Sequence, residues 1–385
     1  MQLARALRNR TTGVMYVLDE PSIGLHPSNL DGMMEIVRDL VDHGNSVVMV
    51  DHDVRALRMA DWIIEMGPGA GSGGGTVVSQ GTVEDVEADP GSIIAPYLKG
   101  DEPVVVRERV PEGEVFSKGA VRMATSAIHT VHPLEVGIPR GCMTVVTGVS
   151  GSGKTTMVLE SLVPALEVAI SGRPLPDHVI SIDADWVQRV NVIDATPIGT
   201  NMRSTVATYS GILDDLRRMF ARGQEARAAG YGTGDFSYNT GRLRCPECDG
   251  TGQITLDVQF LPDVNIVCPA CGGSRYSKEA DAFRHSPKGS DRAYSLPEIM
   301  AMTVDEAGEA LKGTKAADRL RILSEIGLGY LTLGESTPAL SGGEAQRLKL
   351  ASEMGKSQEG SVFVFDEPTV GLHPRDVRTL IGVFQ

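Results

Sequence analysis

Aromatic side chains are scarce in this chain, 5% of its 385 residues, and cysteine is scarcer still, with five. So few cysteines exclude a dense disulfide framework as the source of stability. Four of them fall in two Cys-x-x-Cys pairs, which suits a reducing compartment and a metal. No apolar run reaches the roughly 18 residues that a membrane-spanning helix needs. The first residues, MQLARALRNR, lack the basic, apolar, small-residue order of a signal peptide and read instead as the middle of a basic helix. A cytoplasmic location without membrane contact is expected. Positive charge is in deficit: 36 Lys and Arg against 50 Asp and Glu leave a formal net charge of −14. That balance argues against non-specific nucleic-acid binding by the whole surface but leaves room for a local basic patch. Glycine, by contrast, is abundant at 44 residues, and a hydrophobic content of 41% suffices for a sizeable core. The length predicts two domains, or one with a large insertion.

The chain repeats itself. Asp19-Glu20-Pro21-Ser22-Ile23-Gly24-Leu25-His26-Pro27 returns as Asp366-Glu367-Pro368-Thr369-Val370-Gly371-Leu372-His373-Pro374. At the same offset Leu3-Ala4 falls on Leu350-Ala351, and no gap is needed. Two copies in register indicate two homologous modules. The stretch LSGGEAQRL (340–348) precedes the second copy, whereas its counterpart would fall before Met1. The stretch VVMVDHD (47–53) follows the first copy, whereas its counterpart would fall beyond Gln385. The expectation is a late start in one module and an early stop in the next. Residues 67–75 read as a flexible turn after the strand WIIEM. Residues 100–120, polar and broken by proline, read as a linker. The expected division is therefore 1–99 for the tail of a first module and 121–385 for most of a second.

Gly148-Val-Ser150-Gly151-Ser152-Gly153-Lys154-Thr155 matches G-x-x-x-x-G-K-[ST] between the apolar run MTVVT and a helical pattern. Glycines there let backbone N–H groups curl around phosphates at a helix N-terminus, with Thr156 following. Lys154 would neutralise the terminal phosphates of ATP, and Thr155 would hold Mg2+. Each Asp-Glu-Pro follows an apolar strand. An aspartate at such a strand end is placed to hold the metal, and the next glutamate to polarise the attacking water. Asp19 and Asp366 are assigned to Mg2+, Glu20 and Glu367 to the water. His52, after the strand SVVMV, could reach a γ-phosphate; His26 and His373, in the GLHP turns, read as structural. Ser341, Gly342 and Gly343 open a helix and offer a second anion cradle.

These four features together resemble the signature set of ABC ATPases. In that family each nucleotide is sandwiched between the P-loop, acidic strand end and switch histidine of one module and the LSGG turn of the other. The resemblance implies an α/β fold of tandem ABC-type P-loop modules, both incomplete in this chain. One site would need a P-loop to join Asp19, Glu20, His52 and Ser341. The other would join Lys154, Thr155, Asp366 and Glu367 to an LSGG turn and a switch histidine.

The cysteines add a further element. Cys245-x2-Cys248-x19-Cys268-x2-Cys271 has the spacing of a tetrathiolate Zn2+ site, two knuckles on a hairpin-like excursion. Cys142, before the P-loop, reads as a core thiol. The zinc module, 243–276, lies in an insertion of about 157–335. Around it stand ATPIGTNMRSTVATYSGILDDLRRMFA, FSYNTGRLRCPECDGTG and VQFLPDVNIVCPACGGSRY. With DEPTVGLHP, these resemble UvrA, the ATP-dependent damage-sensing subunit of the bacterial excision nuclease. The resemblance implies binding of duplex DNA, loading of UvrB through a region outside this chain, ATP hydrolysis and a homodimer. Arg242, Arg244, Arg275 and Lys278 are candidate phosphate contacts, and Tyr276 a candidate stacking residue. One departure stands out. The family pattern D-Q-S-P-I-G reads Asp194-Ala195-Thr196-Pro197-Ile198-Gly199 here, so a glutamine expected near metal and water is an alanine. Such drift also fits UvrA-like proteins linked to drug resistance, or a nucleotide-binding remnant.

Overall fold

The computed structural model describes residues 12–69, 74–102, 108–256, 264–287, 292–354, 356, 358–369 and 372–384. The basic N-terminal stretch and the centre of the glycine-rich turn lie outside them. The chain divides into two compact units. One comprises Met1–Pro68, Thr76–Asp194 and Gln358–Gln385; the other comprises Ala195–Ser357 with Gly69–Gly75. Among the described residues no helix is long and apolar enough to cross a membrane.

In the first unit, β1 (Met15–Asp19) and β2 (Ser46–Val50) run parallel, with Asp19 opposite Val50. The crossover between them is α1 (Pro27–Asp42). Leu30, Met33, Met34, Val37 and Leu40 recur at helical spacing and are all buried, the stripe that seats a helix on a sheet. The turn after α1 runs through Gly44 at φ +78, and Asn45 Nδ2 donates to Leu40 O at 2.9 Å. The sheet face away from α1 carries Met15 and Val17, 67% and 68% exposed, beside exposed Val48 and Val50. Strands β3 (Ile63–Gly67) and β4 (Thr76–Gly81) form an antiparallel pair with a bulge at Glu65/Met66.

The same unit holds β5 (Ala120–Thr125), flanked antiparallel by β6 (Leu134–Pro139) and β7 (Val179–Asp183). A π-helical stretch, Thr156–Leu162, continues into α2 (Val163–Ser171). Leu162, Ala165 and Leu166 pack there against Val121, Met123 and Val179. Finally β8 (Arg189–Ile193) pairs parallel with the strand Ser361–Phe365, which ends at the second Asp-Glu. The apolar run MTVVT, which the strand–loop–helix context of a P-loop would make a strand, does not form one. Among the described residues, 143–147 have no ladder partner, and Met143 and Val145 stand 63% and 71% exposed. An apolar run makes a strand only where a neighbour accepts its backbone hydrogen bonds.

The second unit is mainly helical. Its elements include α3 (Ile212–Ala221), α4 (Lys315–Glu325) and α5 (Gly342–Met354). Asp215 on α3, its side chain 6% exposed, accepts from Arg319 Nε of α4 at 3.1 Å. Buried Phe220, Phe236 and Tyr276, with the aliphatic Leu243, form its interior. The expected excursion between the cysteine pairs is present as the antiparallel β9 (Gln253–Leu256) and β10 (Val264–Val267); residues 257–263 lie outside the described residues.

Candidate nucleotide and metal sites

Each Asp-Glu leaves its strand in the same unusual way. Glu20 and Glu367 take φ +44 and +43, a left-handed backbone that non-glycine residues rarely adopt. The repeat is therefore conformational as well as sequential, and it turns each carboxylate off the strand axis. Glu20 N donates to Val50 O at 2.8 Å, which pins the acidic end of β1 to the end of β2. The next turn is held by Asp51. Its Oδ1 accepts from His52 N at 2.7 Å, Asp53 N at 2.9 Å and Ser22 Oγ at 2.5 Å. This turn sets His52 Nε2 3.6 Å from Glu20 Oε1.

The P-loop is a coil of amides that requires its glycines. Gly151 and Gly153 have φ +80 and +91, and an added Cβ at Gly153 would run into Val131 Cγ2. At Gly148 it would meet Ser152 Oγ at 2.6 Å. Lys154 Nζ folds onto its own loop, donating to Gly148 O at 2.8 Å and Val149 O at 3.0 Å. Those carbonyls hold the ammonium where phosphate oxygens would otherwise compete for it. Thr155 and Thr156 follow at the start of the helix.

A cavity of about 890 Å3 in this unit is lined by Glu20, His52, Gly148, Ser150, Lys154 and Glu367 among others. The half-sites read separately in the sequence thus adjoin, with the P-loop of the second copy open to the glutamate and histidine of the first. Gly151, Ser152, Gly153, Thr155, Asp19 and Asp366 do not line it. Asp366 N donates to Ile193 O at 3.1 Å, tying the second acidic strand end to β8.

Two supporting groups escaped sequence reasoning. Glu65, 9% exposed, accepts from Ser92 Oγ at 2.6 Å and from the amides of Ile93 and Ile94 at 2.8 and 2.9 Å. It anchors the segment that leads to Tyr97. The Tyr97 ring stands 6.1 Å from that of His373, which in turn lies 6.2 Å from His52, both edge-on. Burial holds the His373 ring below the usual histidine range, and its Nδ1 accepts from Arg375 N at 3.2 Å. A neutral imidazole with hydrogen on Nε2 satisfies both facts. No pattern in the sequence distinguishes this histidine from His26.

In the second unit, Ser341 caps α5. Glu344 N donates to Ser341 Oγ at 3.3 Å, and Ser341 N to Glu344 Oε2 at 2.7 Å. The Ser-x-x-Glu spacing is a capping box legible in the sequence, and it partners the first turn through a carboxylate. Gly342 packs against Ala195, whose Cβ and O would stand 3.4 Å from an added Cβ, an ordinary contact. Lys349 Nζ donates to Thr196 O at 2.9 Å, so the Ala195–Thr196 turn is fastened along this helix.

The four cysteines converge. Their sulfur atoms lie within 4.8 Å of one another, with Cys245–Cys268 at 4.0 Å and Cys248–Cys271 at 3.7 Å. Tetrahedral zinc with bonds of about 2.3 Å spaces its sulfurs about 3.8 Å apart, so the set fits Zn2+. Gly252 N donates to Cys248 Sγ at 3.3 Å. Burial works against the Cys248 thiolate, but amide donors and neighbouring thiols draw its pKa down to about 7. Burial pushes Cys271 up to about 12. Metal binding requires all four as thiolates, so a divalent cation would displace their protons. Cys142 is half-buried, with its thiol 3.7 Å from Val115 O.

The five basic and aromatic candidates separate. Arg242 is exposed, paired with Asp235 at 2.7 Å and stacked 4.3 Å over Tyr231. Arg244 is tied to Asp249 at 2.8 Å, and Lys278 is exposed. Tyr276 and Arg275, by contrast, are 1% and 5% exposed. Tyr276 Oη donates to Phe236 O at 3.0 Å. The expected surface contact by these two gives way to an interior role, because the chain after Cys271 turns inward.

The fold defines an ABC-type ATPase architecture that carries a four-cysteine hairpin. Within that class the chain is similar, along the whole of its own length, to UvrA proteins. It is 41% identical over 391 residues to UvrABC system protein A of Aquifex aeolicus, covering 100% of this chain and 41% of that protein. The same protein of Thermus thermophilus is 40% identical over 387 residues, with 100% and 40% covered. Among solved structures, UvrA2 from Deinococcus radiodurans matches with a TM-score of 0.86 at 38% identity, over 99% of this chain and 45% of that one. The chain thus spans about two-fifths of the length of the curated relatives it matches. No family model matches it.

Proposed function

We propose that this chain belongs to the ATP-driven machinery of a UvrA-type protein that recognises damaged duplex DNA in nucleotide excision repair and hands it to UvrB. The observation that carries the reading is the cavity shared by Lys154, Glu20, His52 and Glu367. Here ATP would lay its phosphates on the amides of residues 148–155, and Lys154 would exchange Gly148 O and Val149 O for phosphate oxygens. Thr155 and Asp366 would hold the Mg2+ of this P-loop and Asp19 that of the site completed by another P-loop, the ion neutralising phosphate charge when bound. Glu20 and Glu367 would orient water, and His52 would face the terminal phosphate. The turn at Ser341, Gly342 and Gly343 would complete a site from an opposing module. Cys245, Cys248, Cys268 and Cys271 would hold structural Zn2+. Arg242, Arg244 and Lys278 would meet DNA phosphates, the first two after releasing their aspartates. The relatives' UvrABC names support UvrB as partner, and a homodimer is the expected assembly.

The UvrA-like resistance reading, in which a drug is stripped from DNA without excision, draws support from Ala195, an apolar side chain beside the signature helix. A pull-down with UvrB and a damaged duplex decides between them. Retention of UvrB by the protein carrying this chain supports repair, and failure to retain it supports resistance.

A further inference from the structure

Arg275 is an uncommon residue in three respects. Its backbone is left-handed, at φ +71. Its side chain is buried, with the residue 5% exposed. Among the described residues it forms no ion pair with a carboxylate, although nearby Arg203 and Arg244 both do. Its guanidinium instead donates to Met202 O at 2.9 Å, Ser336 Oγ at 2.8 Å and Gly334 O at 3.4 Å. It also lies 5.3 Å from the centre of the Tyr238 ring. A buried cation needs compensating negative charge as well as acceptors. The four-sulfur set is close at hand. Arg275 N–H is bonded to Cys271, and Arg275 O accepts from Cys245 N at 3.0 Å. A divalent metal held by four thiolates carries net negative charge, so the loaded site supplies what the guanidinium lacks.

The acceptors of Arg275 belong to two segments that are themselves laced together. Thr205 and Ser336 form a β-bridge. Val206 N donates to Glu335 O at 3.0 Å, Ala207 N to Leu333 O at 3.0 Å, and Thr337 N to Ser204 O at 2.9 Å. The first knuckle holds the same ladder from its other side, through Arg203 Nη2 and Asp249 Oδ2 at 2.7 Å. Beyond Ser336, the short helix Thr337–Ala339 leads directly to Ser341, the cap of α5.

We propose that Arg275 is a positioning residue that ties metal occupancy of the four-cysteine site to the placement of residues 334–341, and so of the Ser341-Gly342-Gly343 turn. The proposal rests on the reading of the cysteines as a metal site. Loss of the metal frees Cys245 and Cys271, between which the Arg275 backbone is held, and takes the charge of the loaded site away from the guanidinium. It then turns toward water and releases Met202, Gly334 and Ser336 together, and the signature segment loosens.

The test is amide hydrogen exchange on the full chain, zinc-loaded and chelator-stripped, with zinc content measured in parallel. In the wild type, stripping should speed exchange at residues 335–340 by at least about tenfold. The zinc-loaded Arg275→Met chain should retain its zinc, already exchange fast there, and gain little on stripping. Arg275→Lys, which cannot form the three-way fork, should fall between. Ser336→Ala removes one acceptor without altering Arg275 or a cysteine and should speed the same amides if Arg275→Met fails to fold. Wild-type exchange rates in Arg275→Met, or equal acceleration by stripping in both chains, overturn the proposal. If the wild type takes up no zinc, the metal reading falls first. The strut is then judged by whether Arg275→Met differs from wild type at these amides.

Discussion

Glu65→Ala should destabilise the segment that carries Tyr97, and Glu65→Gln should not. The carboxylate is 9% exposed, and its Oε1 accepts both the Ile93 and Ile94 amides. Truncation leaves two N–H groups in the interior without a partner, at about 1–3 kcal/mol each. Partial entry of water reduces the sum, so the expected loss is about 2–4 kcal/mol. Glutamine keeps a carbonyl oxygen for both amides and turns its NH2 toward Ser92 Oγ. That hydroxyl already accepts from Ala95 N at 3.0 Å and can accept a second hydrogen, so the cost should stay below about 1 kcal/mol. Urea titration followed by circular dichroism, together with exchange rates at Ile93–Ala95, measures both variants. Equal losses for the two, or a loss under about 0.5 kcal/mol for the alanine, would refute the reasoning.

Gly153→Ala should abolish nucleotide binding while leaving the far-UV spectrum intact, because φ +91 and Val131 both exclude a methyl group; equilibrium binding of a fluorescent ATP analogue reads it. The hydrogen bond from Arg242 holds Asp235 down at a pKa of about 2, against an ordinary 3.8. A depressed carboxylate contributes stability above the unfolded pKa and loses it as the pH falls through the folded one. The stability difference between wild type and Asp235→Asn should therefore be constant above pH 4 and vanish as the pH approaches 2. Metal analysis should find one zinc per chain, lost in Cys268→Ser.

Legibility followed sequence separation. The P-loop, both acidic strand ends and the two knuckles are written in contiguous residues, and the capping box at Ser341 and Glu344 could have been read the same way. The convergence of the sulfurs was readable too, since spacing alone implies it. What could not be read depends on partners far apart in the chain. Glu65 is an unremarkable strand residue until Ser92, Ile93 and Ile94 fold over it, and the meeting of His52 with His373 spans almost the whole chain. Arg275 and Tyr276 read as surface contacts because basic and aromatic residues beside a knuckle have the composition of a nucleic-acid contact. Only the inward turn after Cys271 assigns them to the interior. The run MTVVT has strand composition, but composition cannot supply a hydrogen-bonding neighbour.

The central claim is that the cavity around Lys154 is a nucleotide site. Its most direct test is equilibrium binding of an ATP analogue to the wild-type chain and to Lys154→Ala, with and without Mg2+. Binding to the wild type should be saturable and Mg2+-dependent and should weaken by at least about a hundredfold in the variant, the effect of losing a charged phosphate contact. Equal affinity in the two chains would contradict it.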